Sequence, residues 1–389
     1  MIKMITSYTE EIDYVDIAVS EILDKLDLSN QLLKNSIGLV HAYYEFIDSG
    51  VIQALAAKLP FDIAGVTTVS SSVPGFISDM GLTLTVLTSD DVEFAAGVSS
   101  PVETDLEGPL AELYSQVTSK LSGKPSLLLT FFPLTRHVGG DEFVAQVDAL
   151  SGGIPQFGTL SISDDPGFVK SSTIFNGVGN HSTAVLVALA GEVNPSFFTV
   201  SVDDEIISRD KGVVTKATRN IMQCIDGMPA LKYLESVGVI EAGNSKMVDN
   251  LPVVLYPEDG SRLIRATMLG TAEGDLILAG TAPVNSKVAF STISAAKVES
   301  SAEKIIKETM AAAKKEDGSV KNCLIYSCVS RLWALGVIET AEHEIAEKIL
   351  GASTPYHFAY SGGEIIPSLR QDGSAANHQQ NYSLIVCVL

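Results

Sequence analysis

Arg331 and Glu364 stand where two strands of the C-terminal third give way to loops. A guanidinium grips a carboxylate through two parallel hydrogen bonds, and a glutamate accepts from an ammonium. Together the two can clamp a zwitterion, with Asn381 and Thr67 adding neutral hydrogen bonds. Equally, Arg331 and Glu364 can pair with each other and simply tie the loops together. Gly362-Gly363 can bring backbone N–H groups close to an anion, but neither GxxxxGK nor GxGxxG occurs, so the plainer expectation is a tight turn with positive φ. Cys328 is the candidate nucleophile, with His357 and His378 in the same stretch. A thiolate needs a base or a helix N-terminus, and a lone Cys in an apolar strand is more often a small core residue. No catalytic residue is therefore expected, and an enzyme is the weaker reading. Glu339, His343 and Glu347 fall on one helical face at i, i+4 and i+8, without the HExxH spacing of a zinc site. His41, His137 and His181 show no ligand spacing either, so neither a metal nor a cofactor is expected.

The elements that position these residues follow a pattern met three times. It runs helix, apolar strand, helix, strand ending in small residues, return strand. The first copy is predicted over Asp16–Leu26, Ile37–Tyr43, Val51–Leu59, Phe61–Val66 and Leu82–Leu87. The second covers Leu110–Lys120, Ser126–Phe132, Asp141–Leu150, Ile154–Gly158 and Ser182–Leu189, with Asp141 at its helix N-terminus after Gly139-Gly140. The third covers Ala302–Lys314, Cys323–Cys328, Glu339–Leu350, Tyr356–Ser361 and Tyr382–Val388. Ordinary α/β alternation is the alternative to a true repeat. Either way the class is mixed α/β: mixed sheets covered by helices. Small-residue loops (Gly65–Thr68, Gly158–Ser161 and Ser361–Glu364) should lie at equivalent sheet ends, a usual place for ligands.

Residues 193–298 interrupt the repeat. Strands are predicted at Phe197–Val202, Glu205–Ile207, Val253–Tyr256, Arg262–Met268, Asp275–Ala279 and Lys287–Ile293, short helices at Thr218–Cys224 and Met228–Val237, and a loop at Gly238–Leu251. The expected organisation is two lobes: 1–192, and 193–389 comprising a β-rich insert (193–298) and the third unit (299–389).

With 26 Lys+Arg against 47 Asp+Glu, the formal charge of −21 repels phosphate backbones and anionic bilayers, which sets aside nucleic acid and membrane as partners. Glu10, Glu11 and Asp13 interrupt any signal-peptide core, and no run is long enough to span a bilayer. Four scattered cysteines do not make a disulfide framework, so a reduced, cytoplasmic protein is expected.

Several segments resemble the FIST family (F-box and intracellular signal transduction proteins). Lys216-Ala217-Thr218-Arg219-Asn220-Ile221 followed by Ile225-Asp226-Gly227-Met228-Pro229-Ala230-Leu231 is similar to the opening of its C-terminal half. Ser327-Cys328-Val329-Ser330-Arg331 resembles its S-C-x-x-R strand end, Tyr360–Ile365 its Y-x-x-G-E-I loop, Asn381-Tyr382-Ser383 its closing strand, and Ile63–Thr68 its G-x-S-T loop. The sequence departs from the family at Val69-Ser70-Ser71, where Gly-Glu-Ile would follow, and at Gln380, where a His often stands. The resemblance implies a sensory domain binding a small ligand such as an amino acid. No kinase, chemotaxis or cyclic-nucleotide module is legible beside it, so the expectation is a stand-alone sensor acting through a signalling partner. The ligand-binding residues expected are Arg331, Glu364, Gly362, Gly363, Asn381, Thr67 and Cys328. Alternatives are an interaction scaffold with a vestigial pocket and, more remotely, an enzyme using Cys328.

Overall fold

The structure is a computed structural model describing residues 1–389 apart from 103–104, 136–137, 203–210, 242, 244–247, 249–250, 315–320 and 352–353. The strand expected at Glu205–Ile207, His137, and much of the expected loop at Gly238–Leu251 lie outside the described residues.

Three six-stranded sheets are built to one plan. Each unit supplies an edge strand, a helix, a first inner strand, one or more helices, a second inner strand, a hairpin and a return strand. In the first unit these are Lys3–Thr9, Val15–Leu26, Asn35–Ala42, Val51–Ala56, Ile63–Thr67, Ser71–Val73 with Phe76–Ser78, and Leu82–Ser89. The second runs Glu93–Val98, Glu107–Thr118, Pro125–Phe132, Gly140–Ser151, Gln156–Leu160, Thr173–Phe175 with Val178–Asn180, and Val185–Ala190. In the third, edge strand Ser196–Val200 and helix Ala295–Ala313 are followed by Cys323–Cys328, helices Val329–Leu335 and Ala341–Leu350, Tyr356–Ser361, Glu364–Leu369 with Ala375–Gln380, and Leu384–Val388.

The two inner strands of every unit are parallel and the return strand is antiparallel to the first. The hairpins are exchanged in a cycle. The first unit's hairpin joins the third sheet, the second's joins the first sheet, and the third's joins the second sheet. Register aligns Val40↔Gly65, Thr130↔Gly158 and Ser327↔Tyr360. The third-unit partner of Gly65 is thus Tyr360, one residue before the small-residue loop Ser361–Glu364. Backbones approach so closely at the first two positions that a Cβ on Gly65 would lie 1.7 Å from the Val40 carbonyl oxygen, and one on Gly158 would lie 1.9 Å from that of Thr130.

Alternation along each inner strand sends one face inward and the other to the helices. Leu39, Leu129 and Tyr326, with Ala64, Phe157 and Ala359, meet in one central core drawn from all three sheets. The opposite faces carry three separate helix-covered cores, containing Ile22 with Val40, Phe143 with Leu128, and Ile305 with Ile325.

Between the third unit's edge strand and its first helix lies a small antiparallel barrel, closed where Gly212–Thr218 pairs with both Lys287–Phe290 and Ile221–Ile225. Its core includes Val214, Leu234, Val253 and Leu276. Residues 218–224, expected as a helix, instead form a hairpin turn and a strand, because Arg219 takes a left-handed conformation (φ +53°) that reverses the chain. Charged and polar contacts tie the barrel to the three-sheet body. Arg219 forks onto Glu142 at 2.8 and 2.9 Å, and Asp141 accepts from Arg265 and from the Thr281 hydroxyl and N–H. Asp141 therefore also serves as a tether across the junction.

Candidate functional site

The residues singled out by type separate into two groups. Arg331, in the Val329–Leu335 helix, is fully buried and does not meet Glu364. Its Nε and Nη2 donate to Glu342 Oε1 at 3.1 and 2.8 Å, and Nη2 also donates to the Val298 carbonyl and Ser301 Oγ. The other Glu342 oxygen accepts from Ser327 at 2.8 Å and Tyr360 at 3.3 Å. Both alternatives built on an Arg331–Glu364 unit give way to this one: the guanidinium already has a carboxylate, supplied by the next helix. Arg331 also borders a cavity of about 520 Å³ with Arg262, Lys297 and Lys304.

Glu364 opens its hairpin strand opposite Thr159, fully buried. Its Oε2 accepts from the Ser383 hydroxyl at 2.6 Å, while Oε1 has no hydrogen-bond partner among the described residues. Burial outweighs the nearby hydroxyls of Ser383 and Ser361 and the Cys328 thiol, and lifts this carboxyl to about 8, so it is mostly neutral at pH 7. Tyr382 sits in a left-handed conformation (φ +56°), which lets Ser383 reach Glu364 while Asn381 turns to the barrel and accepts from Ala266 N–H at 3.3 Å.

Asn381, Gly362 and Cys328 line one cavity of about 350 Å³ at the junction of body and barrel. Val329, Ser330 and Trp333 add to this wall. Leu134, Ile162 and Phe168 come from the second unit, and Ala266, Thr267, Met268 and Ala279 from the barrel. Neither Gly362 nor Gly363 has positive φ, contrary to the tight-turn expectation. They are small because a Cβ on Gly362 would come within 2.6 Å of the Ser161 carbonyl, and one on Gly363 within 2.7 Å of Gln379. Thr67 does not reach the cavity: it exchanges hydrogen bonds with Ser172 in the adjoining hairpin.

Burial, and secondarily Glu364, drives the Cys328 thiol far above its ordinary range. Neither His357 nor His378 bonds to it: His357 meets Thr85, and His378 meets Ser261. Alkylation of native protein at neutral pH should therefore label the half-buried Cys224 quickly and leave Cys323, Cys328 and Cys387 unmodified, with all four labelled after denaturation. Intact-mass measurement checks this, and rapid native labelling of Cys328 would restore the nucleophile. His343 is a satisfied core histidine, bracketed by Ser70 Oγ at 2.9 Å and Ser72 Oγ at 2.8 Å. Among the described residues no group of three or more His, Cys, Asp and Glu side chains is placed to hold a metal.

Glu342, Ser383, Phe168 and Trp333 are the site residues that sequence reasoning missed. Trp333, the sole tryptophan, carried a signal in its rarity and its position two residues after Arg331.

Two family models meet within the barrel: the FIST N domain over residues 37–228 and the FIST C domain over residues 230–367. The chain belongs to the FIST family. FIST domains are sensory domains of signal transduction, so the family resemblance read from the separate motifs holds along the chain. No curated protein matches this FIST chain in sequence. Among solved structures, cyanuric acid hydrolase from A. caulinodans aligns at 7% identity and TM-score 0.39, covering 100% of this chain and 98% of that one. A chorismatase aligns at 11% identity and TM-score 0.40, with the same coverage. At such scores neither likeness bears on the chemistry of the FIST chain. Among its described residues no helix is long and apolar enough to cross a membrane.

Proposed function

We propose that this FIST protein senses a small ligand in the cavity between the three-sheet body and the inserted barrel. The observation that carries the reading is the chemistry of that cavity. Apolar walls from Leu134, Ile162, Phe168, Met268 and Trp333 converge on Cys328, Ser330 and Asn381, and among the described residues no charged side chain lines it. With Arg331 held by Glu342, the zwitterion clamp has no cation among the described lining residues. The ligand class that fits is accordingly small and uncharged, with a largely apolar body and one hydrogen-bonding end. An amino acid is a poorer match, since its carboxylate would meet no counter-charge among the described lining residues. The buried, high-pKa Cys328 supports a binding role over a catalytic one.

The cavity's two walls belong to different parts of the chain, so an occupant contacts both at once and favours one arrangement of barrel on body. Thermal shift against a panel of small metabolites tests the reading. A compound at one hundred times its dissociation constant stabilises by about 2.7 kcal/mol. Ala279→Phe, which fills the barrel-side wall, is expected to abolish that shift while leaving the unliganded transition cooperative. A shift that survives Ala279→Phe unchanged, or one produced only by charged compounds, removes this cavity from consideration.

A further inference from the structure

A second cavity, of about 600 Å³, adjoins the first and shares Phe168, Val329 and Trp333 with it. Its setting is unusual for a protein surface. Trp333 is 50% exposed, Met80 56% and Val337 wholly so, and all three line it. Val169 and Ile338, next in sequence to the lining residues Phe168 and Val337, are 60% and 41% exposed. Trp333 is itself stacked on Phe168, ring centroids 6.0 Å apart, so the indole is presented as a fixed apolar ledge. Exposed apolar side chains gathered around a groove mark a binding surface.

The charge of the groove is one-sided. Asp79, Asp164 and Glu339 line it, and among the described residues no lysine or arginine does. This is not the uniform result of an acidic chain: among the described residues the cavity beside Arg331 is lined by Arg262, Lys297, Lys304 and Arg331 and by no carboxylate. Asp164 is held at the wall by the Tyr43 hydroxyl, at 3.2 and 3.3 Å from its two oxygens.

We infer that the Trp333 groove docks a basic amphipathic segment of a partner protein. Apolar side chains of the segment enter between Trp333, Val337 and Met80. Flanking lysines or arginines lay their stems along the apolar rim, bring their heads to Asp79, Asp164 and Glu339, and cover the indole face. Other occupants conflict with the charge: a second copy brings the same carboxylates to an already negative surface, and nucleic acid and anionic bilayers are repelled. This inference stands apart from the ligand reading, because every residue it needs is already exposed.

The sole tryptophan makes the test direct, since all indole emission comes from Trp333. The probes are two synthetic amphipathic helical peptides of one pattern, one of leucine and lysine and the other of leucine and glutamate. The leucine–lysine peptide is expected to blue-shift the emission saturably, with binding that weakens as salt rises. Val337→Asp is expected to weaken it about tenfold or more by calorimetry. Glu339→Lys should weaken it clearly more than Glu258→Lys, the same charge change at an exposed site that does not line the groove. Three results overturn the inference: equal effects of the two lysine variants, a matching shift from the leucine–glutamate peptide, or an emission shift that follows self-association in sedimentation. Val337 and Glu339 are both exposed, so neither substitution puts folding at risk.

Discussion

Arg331→Ala is expected to cost the protein about 3–5 kcal/mol of stability, because it strands a carboxylate in the core. Arg331 and Glu342 side chains are 1% and 0% exposed, and four hydrogen bonds from Arg331 Nε and Nη2 satisfy Glu342, Val298 and Ser301. Without the guanidinium, Glu342 keeps only the Ser327 and Tyr360 hydroxyls, neither of which neutralises it. The charge must then be buried unpaired or take up a proton, and both are unfavourable in this surrounding. Glu342→Gln is the complementary case, leaving a buried cation, and should be comparably damaging. Removing both charges together, as in Arg331→Met with Glu342→Leu, is expected to recover most of the loss. Urea denaturation of the two single variants and the double one completes the cycle. The outcome contrasts with the clamp expectation, in which Arg331→Ala leaves a folded protein that no longer binds. A stable, cooperatively unfolding Arg331→Ala protein that loses only ligand response would return Arg331 to the binding site.

The same residue shows where sequence reading succeeds and where it stops. Arg331 stands out by type and position, but its partner lies 11 residues away across a chain reversal. The helical face read as Glu339, His343 and Glu347 passes one residue to the side of Glu342. Inner strands such as Pro125–Phe132 and Cys323–Cys328 were legible because strands buried on both faces are continuous apolar runs. Helix Ala295–Ala313 was legible in its second half from the spacing of Ala302, Ile305 and Ile306. The hairpins were not. Ser71–Val73 is three residues long, and its place in the third sheet depends on strand Tyr356–Ser361, nearly three hundred residues on, through pairs such as Ser72↔Phe358. Such an exchange leaves no local signature. The cavity has the same difficulty, since Leu134, Phe168, Met268 and Trp333 come from four separate segments. Cys328, Gly362 and Asn381, which line that cavity, stand out in the sequence because each ends or follows a recognisable strand. Their apolar surroundings were supplied by loops and by the barrel.

Stability is expected to fall steeply as pH drops from about 6.5 to 4.5, and the cause lies in the middle of the molecule rather than at its surface. His41, His343 and His357 are all fully buried. Burial holds His41 well below the ordinary histidine range and lowers His343 and His357 to about 3; the proximity of His357 depresses the other two further. His41 packs against His357, Tyr326 and Phe131, with no carboxylate among these ring neighbours. His357 has the Thr85 hydroxyl, and His343 has Ser70 and Ser72 with the rings of Phe358 and Tyr360. Hydroxyls and rings of this kind do not compensate a buried imidazolium. In the unfolded chain each histidine protonates near 6.5, so below that pH unfolding takes up three protons that the native state refuses. Glu364 acts in the opposite sense. Its native carboxyl stays protonated up to about 8, so its contribution is complete below the unfolded value near 4.5 and is lost as pH rises. Across the window unfolding therefore takes up more protons than it releases, with His378, also lowered mainly by burial, adding to the uptake, so stability falls as pH drops. Denaturant titrations at pH 7, 6 and 5 measure it directly. His343→Gln, which keeps a hydrogen-bonding side chain between Ser70 and Ser72, should reduce the slope by about one proton. Glu364→Gln should steepen it by the same amount, because among the described residues it removes the one carboxyl whose native state holds its proton more tightly than the unfolded chain does. A flat profile from pH 7 to 5, or variants that shift stability without changing its slope, would mean that the native histidines already carry their protons.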